Sequence, residues 1–195
     1  MKKKPEQTAK TKAALEDAFW ELYAREPLEK ITVSAVCNLA GYSRGTFYAY
    51  FQDVYQMLEG IEQRFLDGML TCVERCMLRL AGDGGKLARV AALADVVAYY
   101  EKNKRHIVVL LSEQGDPAFL LRLKQGLKPL WRQYVIDDVG EHTEQEVDLI
   151  LEYTLTGTLF MISRWLSNPG DISKAQMGHL IYDAAIRDVG IRVAS

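Results

Sequence analysis

Apolar positions recur every three or four residues along almost the whole chain and nowhere alternate for long, a pattern that predicts helices and no sheet. The first helix is expected over Thr8 to Arg25, with Leu15, Ala18, Phe19, Leu22 and Tyr23 on one face and Pro27 beyond its end. Two short helices follow. Thr32 is a good N-cap for the first, whose stripe is Val33, Val36 and Leu39. Gly41 should end it, because glycine turns cheaply through positive φ. Ser43 caps the second, and Phe47 and Phe51, four apart, should pack back onto the first. A helix of about two turns is not stable alone in water, so its neighbours must brace it.

Asp53 is a plausible N-cap for a long helix from about Val54 to Leu80, with a stripe of Leu58, Ile61, Phe65, Met69, Cys72, Cys76 and Leu80. Gly82-Asp83-Gly84-Gly85 is the clearest breaker in the chain. Helices are then expected over about Lys86 to Lys102, His106 to Ser112, and from Gly115-Asp116-Pro117 to about Asp138, where Pro129 should introduce a kink. Thr143 with Glu146, and Ser173 with Gln176, form capping boxes that open two last helices. The first of these reaches Ser167 and is apolar nearly all round, which predicts burial on all sides. The second carries Met177, Leu180, Ile181, Ala184, Ala185 and Val189. The pair holds more apolar surface than one neighbour could cover, and Gly157 and Thr158 would admit a second helix closely, so an interface between copies is expected there. The fold class is therefore all-α, with about nine helices.

Composition narrows the function. The chain has 195 residues and 49% hydrophobic content, enough for a sizeable core. No apolar run is long enough to span a bilayer, and Lys2, Lys3 and Lys4 are not followed by the apolar stretch of a secretory signal, so a soluble cytoplasmic protein is expected. Three cysteines do not make a disulfide framework. Cys72 and Cys76 share a helix face, but no histidine is near in sequence, and buried thiols are expected rather than a metal site or a cofactor. Gly-x-Ser-x-Gly, P-loop and His-Glu-x-x-His motifs are all missing, and the three histidines are scattered at His106, His142 and His179, which argues against an enzyme. The net charge of −2 does not advertise nucleic-acid binding, but residues 1–12 hold five lysines against Glu6 alone, a basic arm suited to phosphate.

The stretch Thr32-Val-x-x-Val-x-x-x-Ala40-Gly-Tyr-Ser-Arg-Gly-Thr-Phe-Tyr-x-Tyr-Phe51 is the most informative in the chain. It resembles the DNA-binding region of the tetracycline-repressor (TetR) family of transcriptional regulators over roughly residues 8–58. Gly157 to Leu166 is more loosely similar to the C-terminal domain of one branch of that family. The resemblance implies an N-terminal three-helix helix-turn-helix domain, residues 1–53, and a C-terminal helical ligand-binding and dimerisation domain, residues 54–195. It implies a homodimer through the two C-terminal helices, which presents two recognition helices to a near-palindromic double-stranded operator. Carried over position by position, Arg44, Thr46 and Tyr48 would enter the major groove. Gly45 would allow close approach, Tyr50 would reach phosphate, and Thr32 and Ser43 would offer helix N-termini to phosphate. A lysine that the family commonly has near the start of the fourth helix is Val54 here.

The resemblance also implies a small-molecule effector, repression as the family's common mode, and a pocket for which Tyr99, Tyr100, His106, Trp131, Tyr134, Tyr153 and Phe160 are the candidates. Asp95, Glu101, Glu113, Asp148 and Glu152 lie among them in sequence, a mixture suited to a lipophilic cation. The alternative is a protein-interaction adaptor of the same fold with weak DNA binding or no ligand, a reading that the absent lysine leaves open.

Overall fold

Helix α1, Pro5–Tyr23, starts on a proline, whose missing N–H is harmless in a first turn. It buries Leu15, Ala18, Phe19, Trp20 and Tyr23, with the Tyr23 ring edge-on to Trp20 at 5.4 Å and stacked on Phe19 at 5.7 Å. It stops short of Arg25, and a 3-10 turn at Leu28–Lys30, which the pattern did not predict, links it to helix α2, Val33–Ala40. The computed structural model describes residues 5–80, 85–112, 115–134 and 143–187. Among these there are nine α-helices and no strand, so the all-α expectation holds. Gly82 to Gly84, the helix end near Asp138, Lys2 to Lys4, Glu113, His142 and Val189 lie outside the described residues, as do the side chains of Leu80 and Tyr134.

The chain divides into two compact units, Met1–Phe65 and Leu66–Ser195. The division falls inside the long helix α4, Val54–Leu80, rather than at its start. In the first unit α1 packs on α2, and α2 on a short helix α3, Arg44–Tyr48. The Asp53 carboxylate accepts from the Gln56 backbone N–H at 2.8 Å, and the Gln56 side chain accepts from the Gln52 N–H at 3.1 Å, a reciprocal cap that fixes where α4 begins. Arg64 of α4 donates to Glu16 of α1 at 2.7 Å and ties the two helices together.

The second unit contains the rest of α4, α5 (Gly85–Lys102), α6 (Lys104–Leu110), α7 (Pro117–Tyr134), α8 (Glu144–Ser167) and α9 (Lys174–Tyr182), which passes into a π-helical turn at Asp183–Arg187. Both predicted capping boxes are present, at Thr143 with Glu146 and at Ser173 with Gln176. Helix α7 runs on through Pro129 to Tyr134. Its Gly126 admits the Leu70 side chain of α4, whose nearest atom would lie 2.7 Å from an added Cβ.

Helix α8 corrects one expectation. It is not buried on all sides within this chain. Leu151, Leu155, Leu159 and Ile162 are buried, whereas Leu149, Tyr153 and Phe160 form an exposed stripe on another face. The phases differ because α6 and α7 cover only part of the helix.

Cations on α7 meet acids on α8 at one-turn intervals. Lys124 pairs with Glu152, Lys128 with Asp148 at 2.8 Å and with Glu152 at 3.3 Å, and Arg132 with Glu144 at 2.6 Å. The hydrogen bond from Lys128 holds Asp148 below its ordinary range, and the bond from Lys124, with Lys128 behind it, does the same to Glu152. Lys128 is raised, chiefly by its bond to Asp148. Depressed acids stabilise the fold above their unfolded pKa and lose that contribution as pH falls through the folded one; the raised lysine contributes until pH climbs through its folded value. The ladder should therefore contribute most between about pH 5 and pH 10. Urea midpoints of the wild type and Lys128→Met should differ most near neutrality and converge below about pH 4. A constant difference across that range would show the ladder to be energetically silent.

Candidate nucleic-acid interface

Helix α3 is only five residues long, and Phe47 is its one buried residue. Thr32 caps α2, its hydroxyl accepting from the Ala35 N–H at 3.1 Å. Gly41 closes α2 in the left-handed region at φ 72°, where a side chain would be strained. The chain then turns, and Ser43 caps α3 by accepting from the Thr46 N–H at 3.1 Å. Phe47 is fully buried and Phe51 nearly so, with ring centroids 5.5 Å apart, and together they hold α3 from behind. Arg44, Gly45 and Tyr48 are left facing solvent.

The side chains differ in how free they are to bind. The Tyr48 ring is 53% exposed. The Thr46 hydroxyl already shares a hydrogen bond with that of Ser43 at 3.0 Å, and Tyr50 is half-buried. Burial pushes the Cys37 thiol up while the Arg44 charge draws it partly back, and Arg44 itself is exposed. Gly45 is informative because nothing in the unit demands a glycine there. An added Cβ would meet only Ser43 Oγ at 3.7 Å, an ordinary contact. Of the expected basic arm, Lys10 is exposed, but Lys12 lies 5.6 Å from the centre of the Phe51 ring and 3.9 Å from Glu16.

Two positions depart from the pattern. Leu39, expected in the apolar stripe of α2, is 47% exposed, and Cys37 takes its place beside Val36. Val54 is buried, so that position has become part of the core. Tyr55, next to Val54 and a candidate to compensate for the absent lysine, is exposed, as is Tyr42 in the same unit.

Family models decide what this head is. Residues 16–61 match the model for bacterial regulatory proteins of the tetR family, and residues 91–187 match that for a transcriptional regulator C-terminal region of the TetR type. The chain belongs to the TetR family. It is a transcriptional regulator with a DNA-binding helix-turn-helix, and members of this family are DNA-binding transcription factors rather than enzymes. The fold is shared with a TetR transcriptional regulator from Streptococcus agalactiae, at 24% identity over 93% of this chain and 97% of that one, with a TM-score of 0.64. It is also similar to DhaS, the dihydroxyacetone kinase operon activator, at 15% identity over 92% and 96% and a TM-score of 0.58. SmeT, solved as a triclosan complex, matches at 14% identity over 91% and 90% with a TM-score of 0.62. No curated protein matches.

The second unit of this TetR protein does not bring together the six candidate pocket residues whose side chains are described, Tyr134 being the seventh. Tyr100 and Trp131 are buried and line one small, almost wholly apolar cleft of about 40 Å3 with Leu155, Thr158 and Ile181. The Trp131 indole N–H donates to the Ala185 carbonyl at 3.2 Å. Burial pushes the Tyr100 phenol well up and keeps it neutral. Tyr99 and His106 are half-buried. Tyr153 and Phe160 are 83% and 68% exposed and point away from that cleft. The four described acids expected to favour a cation are already paired: Asp95 with Arg79, Glu101 with Lys174, and Asp148 and Glu152 in the α7–α8 ladder. Cys37 and Cys76 are buried and Cys72 half-buried, all three as free thiols. Among the described residues there is no cluster able to hold a metal, and no helix is long and apolar enough to cross a membrane.

Proposed function

We propose that this chain is a ligand-responsive repressor that reads a near-palindromic operator as a homodimer in the cytoplasm. The observation that carries the DNA reading is α3 itself: Phe47 and Phe51 brace it on one side while Arg44, Gly45 and Tyr48 face outward on the other. Arg44 would fork onto a guanine edge, and Tyr48 would reach the groove beside it. Thr32, Ser43, Thr46 and Tyr50 contribute around the rim, through backbone N–H groups and hydroxyls directed at phosphate. The exposed stripe Leu149, Tyr153 and Phe160 on α8 supports pairing with a second copy. Gly157 lies between, with nothing within 4 Å of where its Cβ would be. Leu180 of α9 and Ile172 before it extend the apolar surface.

Effector response is supported by the cleft under Tyr100 and Trp131, which must widen to admit a ligand, since about 40 Å3 holds little more than a water molecule. SmeT, of the same fold, accepts triclosan. The adaptor reading draws on buried Val54, where a phosphate-holding lysine is missing.

Selection of bound DNA from a random pool by the purified protein tests this reading. A palindrome should emerge, and Arg44→Ala should weaken binding to it by about tenfold to a hundredfold, equivalent to roughly 1–3 kcal/mol. Gly45→Ala separates binding from folding. It should leave thermal stability unchanged or raised by up to about 1 kcal/mol while weakening the complex, because a Cβ fits the free head but not the approach to the duplex. Absence of any enriched site would favour the adaptor. A reporter carrying the selected site should rise when the regulator is deleted; a fall would make the chain an activator, as DhaS is described.

A further inference from the structure

An open groove of about 640 Å3 runs between residues 67–79 of α4 and residues 95–102 of α5. It adjoins the cleft under Trp131, with which it shares Cys76. Its lining is mostly apolar and includes Gly68, Cys72, Cys76, Ala98 and Tyr99. The Tyr99 hydroxyl lies directly over Gly68, where any larger residue would displace it. The charged rim holds Arg75, Arg79 and Lys102 against Asp67 and Asp95.

These charges are not equally available. Arg79 is consumed by Asp95. Asp67 has an interaction of its own. Arg75 and Lys102 are exposed and have no carboxylate partner among the described residues. Among the described residues, the groove therefore presents two cations without a carboxylate partner beside an apolar wall, while its acids already have interactions of their own. Such a wall, poor in polarisable water, strengthens the attraction of the cations for an incoming anion. Burial raises both the Cys72 thiol and the Tyr99 phenol, so both are neutral at pH 7 and add no negative charge to the groove. The volume lies within the roughly 300–1,000 Å3 of ordinary small-molecule sites.

We propose that this groove binds an amphipathic anion, with its acid group set against Arg75 and Lys102 and its apolar body laid along Cys72, Cys76 and Tyr99. A cation of the same shape is disfavoured, because it would have to break the Arg79–Asp95 pair to find a partner. Helix α4, which forms one wall, continues unbroken into the unit that carries α3. A ligand gripping it and α5 together is thus an effector, a consequence that rests on the DNA-binding reading above.

The test uses two dyes on the full chain: 1-anilinonaphthalene-8-sulfonate and its uncharged counterpart N-phenyl-1-naphthylamine. The sulfonate should bind more tightly than the amine. Its affinity should fall by about tenfold or more in the Arg75→Gln/Lys102→Gln double variant, the loss expected when charge-assisted contacts are removed, while that of the amine stays unchanged. Both positions are on the surface, so the variant should fold, which circular dichroism checks. Equal affinity for the two dyes, or a sulfonate indifferent to the double variant, overturns the proposal. DNA selection is run on the unaltered chain without dye. Failure of the groove therefore appears only in the fluorescence, and failure of the DNA reading only in the selection.

Discussion

Phe47→Ala should unfold the reading head. The ring is fully buried, and it is the one buried side chain in a helix of five residues. Such a helix has no stability of its own, so its conformation is imposed by what Phe47 and Phe51 pack against. Truncating a buried phenylalanine costs about 3–5 kcal/mol through lost transfer energy and the cavity left behind. A small unit has only about 5–15 kcal/mol in total, and each kcal/mol moves its melting point by about 4–8 °C. The head's transition should therefore fall by more than about 12 °C. DNA binding should vanish at every salt concentration, whereas Arg44→Ala should lose specificity and keep a weak, salt-sensitive residue of affinity. A near-normal melting curve would mean that α3 is braced elsewhere.

The second large effect concerns assembly. Tyr153→Asp with Phe160→Asp should leave the isolated chain about as stable as before, because both side chains are mostly exposed and surface changes usually stay within about 0.5 kcal/mol. In a two-fold interface each residue appears twice, so four aromatic side chains are lost at once. At roughly 1.5 kcal/mol or more for each, about 6 kcal/mol in all, dimer dissociation should rise by at least about ten-thousandfold. Sedimentation should then report the 22.1 kDa chain, against twice that mass expected of the unaltered chain. Operator binding should weaken with it, since two heads no longer arrive together. A variant that remains dimeric would remove α8 from the interface.

These two regions also show what could and could not be read from the sequence. Helix ends were legible wherever a side chain closes its own hydrogen bonds, as at Thr32, Ser43, Thr143 and Ser173. The recognition segment was legible because turn chemistry, cap and aromatic spacing agree over a few residues. Helix α8 was less so. When nearly every position is apolar, periodicity loses its phase, and it cannot tell a face buried within the chain from one left for a partner. That is why Tyr153 and Phe160 read as pocket residues and stand at the surface instead. The phase of α2 was misread for a different reason: in eight residues a leucine and a cysteine two positions apart compete for one stripe, and packing against α1 and α3 selected Cys37. The acids near the pocket candidates misled because their partners, Arg79, Lys124, Lys128 and Lys174, lie on other helices.

The ladder between α7 and α8 has a further consequence. Its rungs repeat at each helical turn, and Lys128 already grips both Asp148 and Glu152. A slip of one turn, about 5.4 Å, would exchange partners at two of the three rungs and strand only one charge at each end. Electrostatics thus commits the two helices to each other without specifying their alignment. That specification falls to the interior, to Leu123, Leu127 and Trp131, the last of which is anchored at a single carbonyl, that of Ala185. The surface acts as a rack and the indole as the pin that stops it at one tooth.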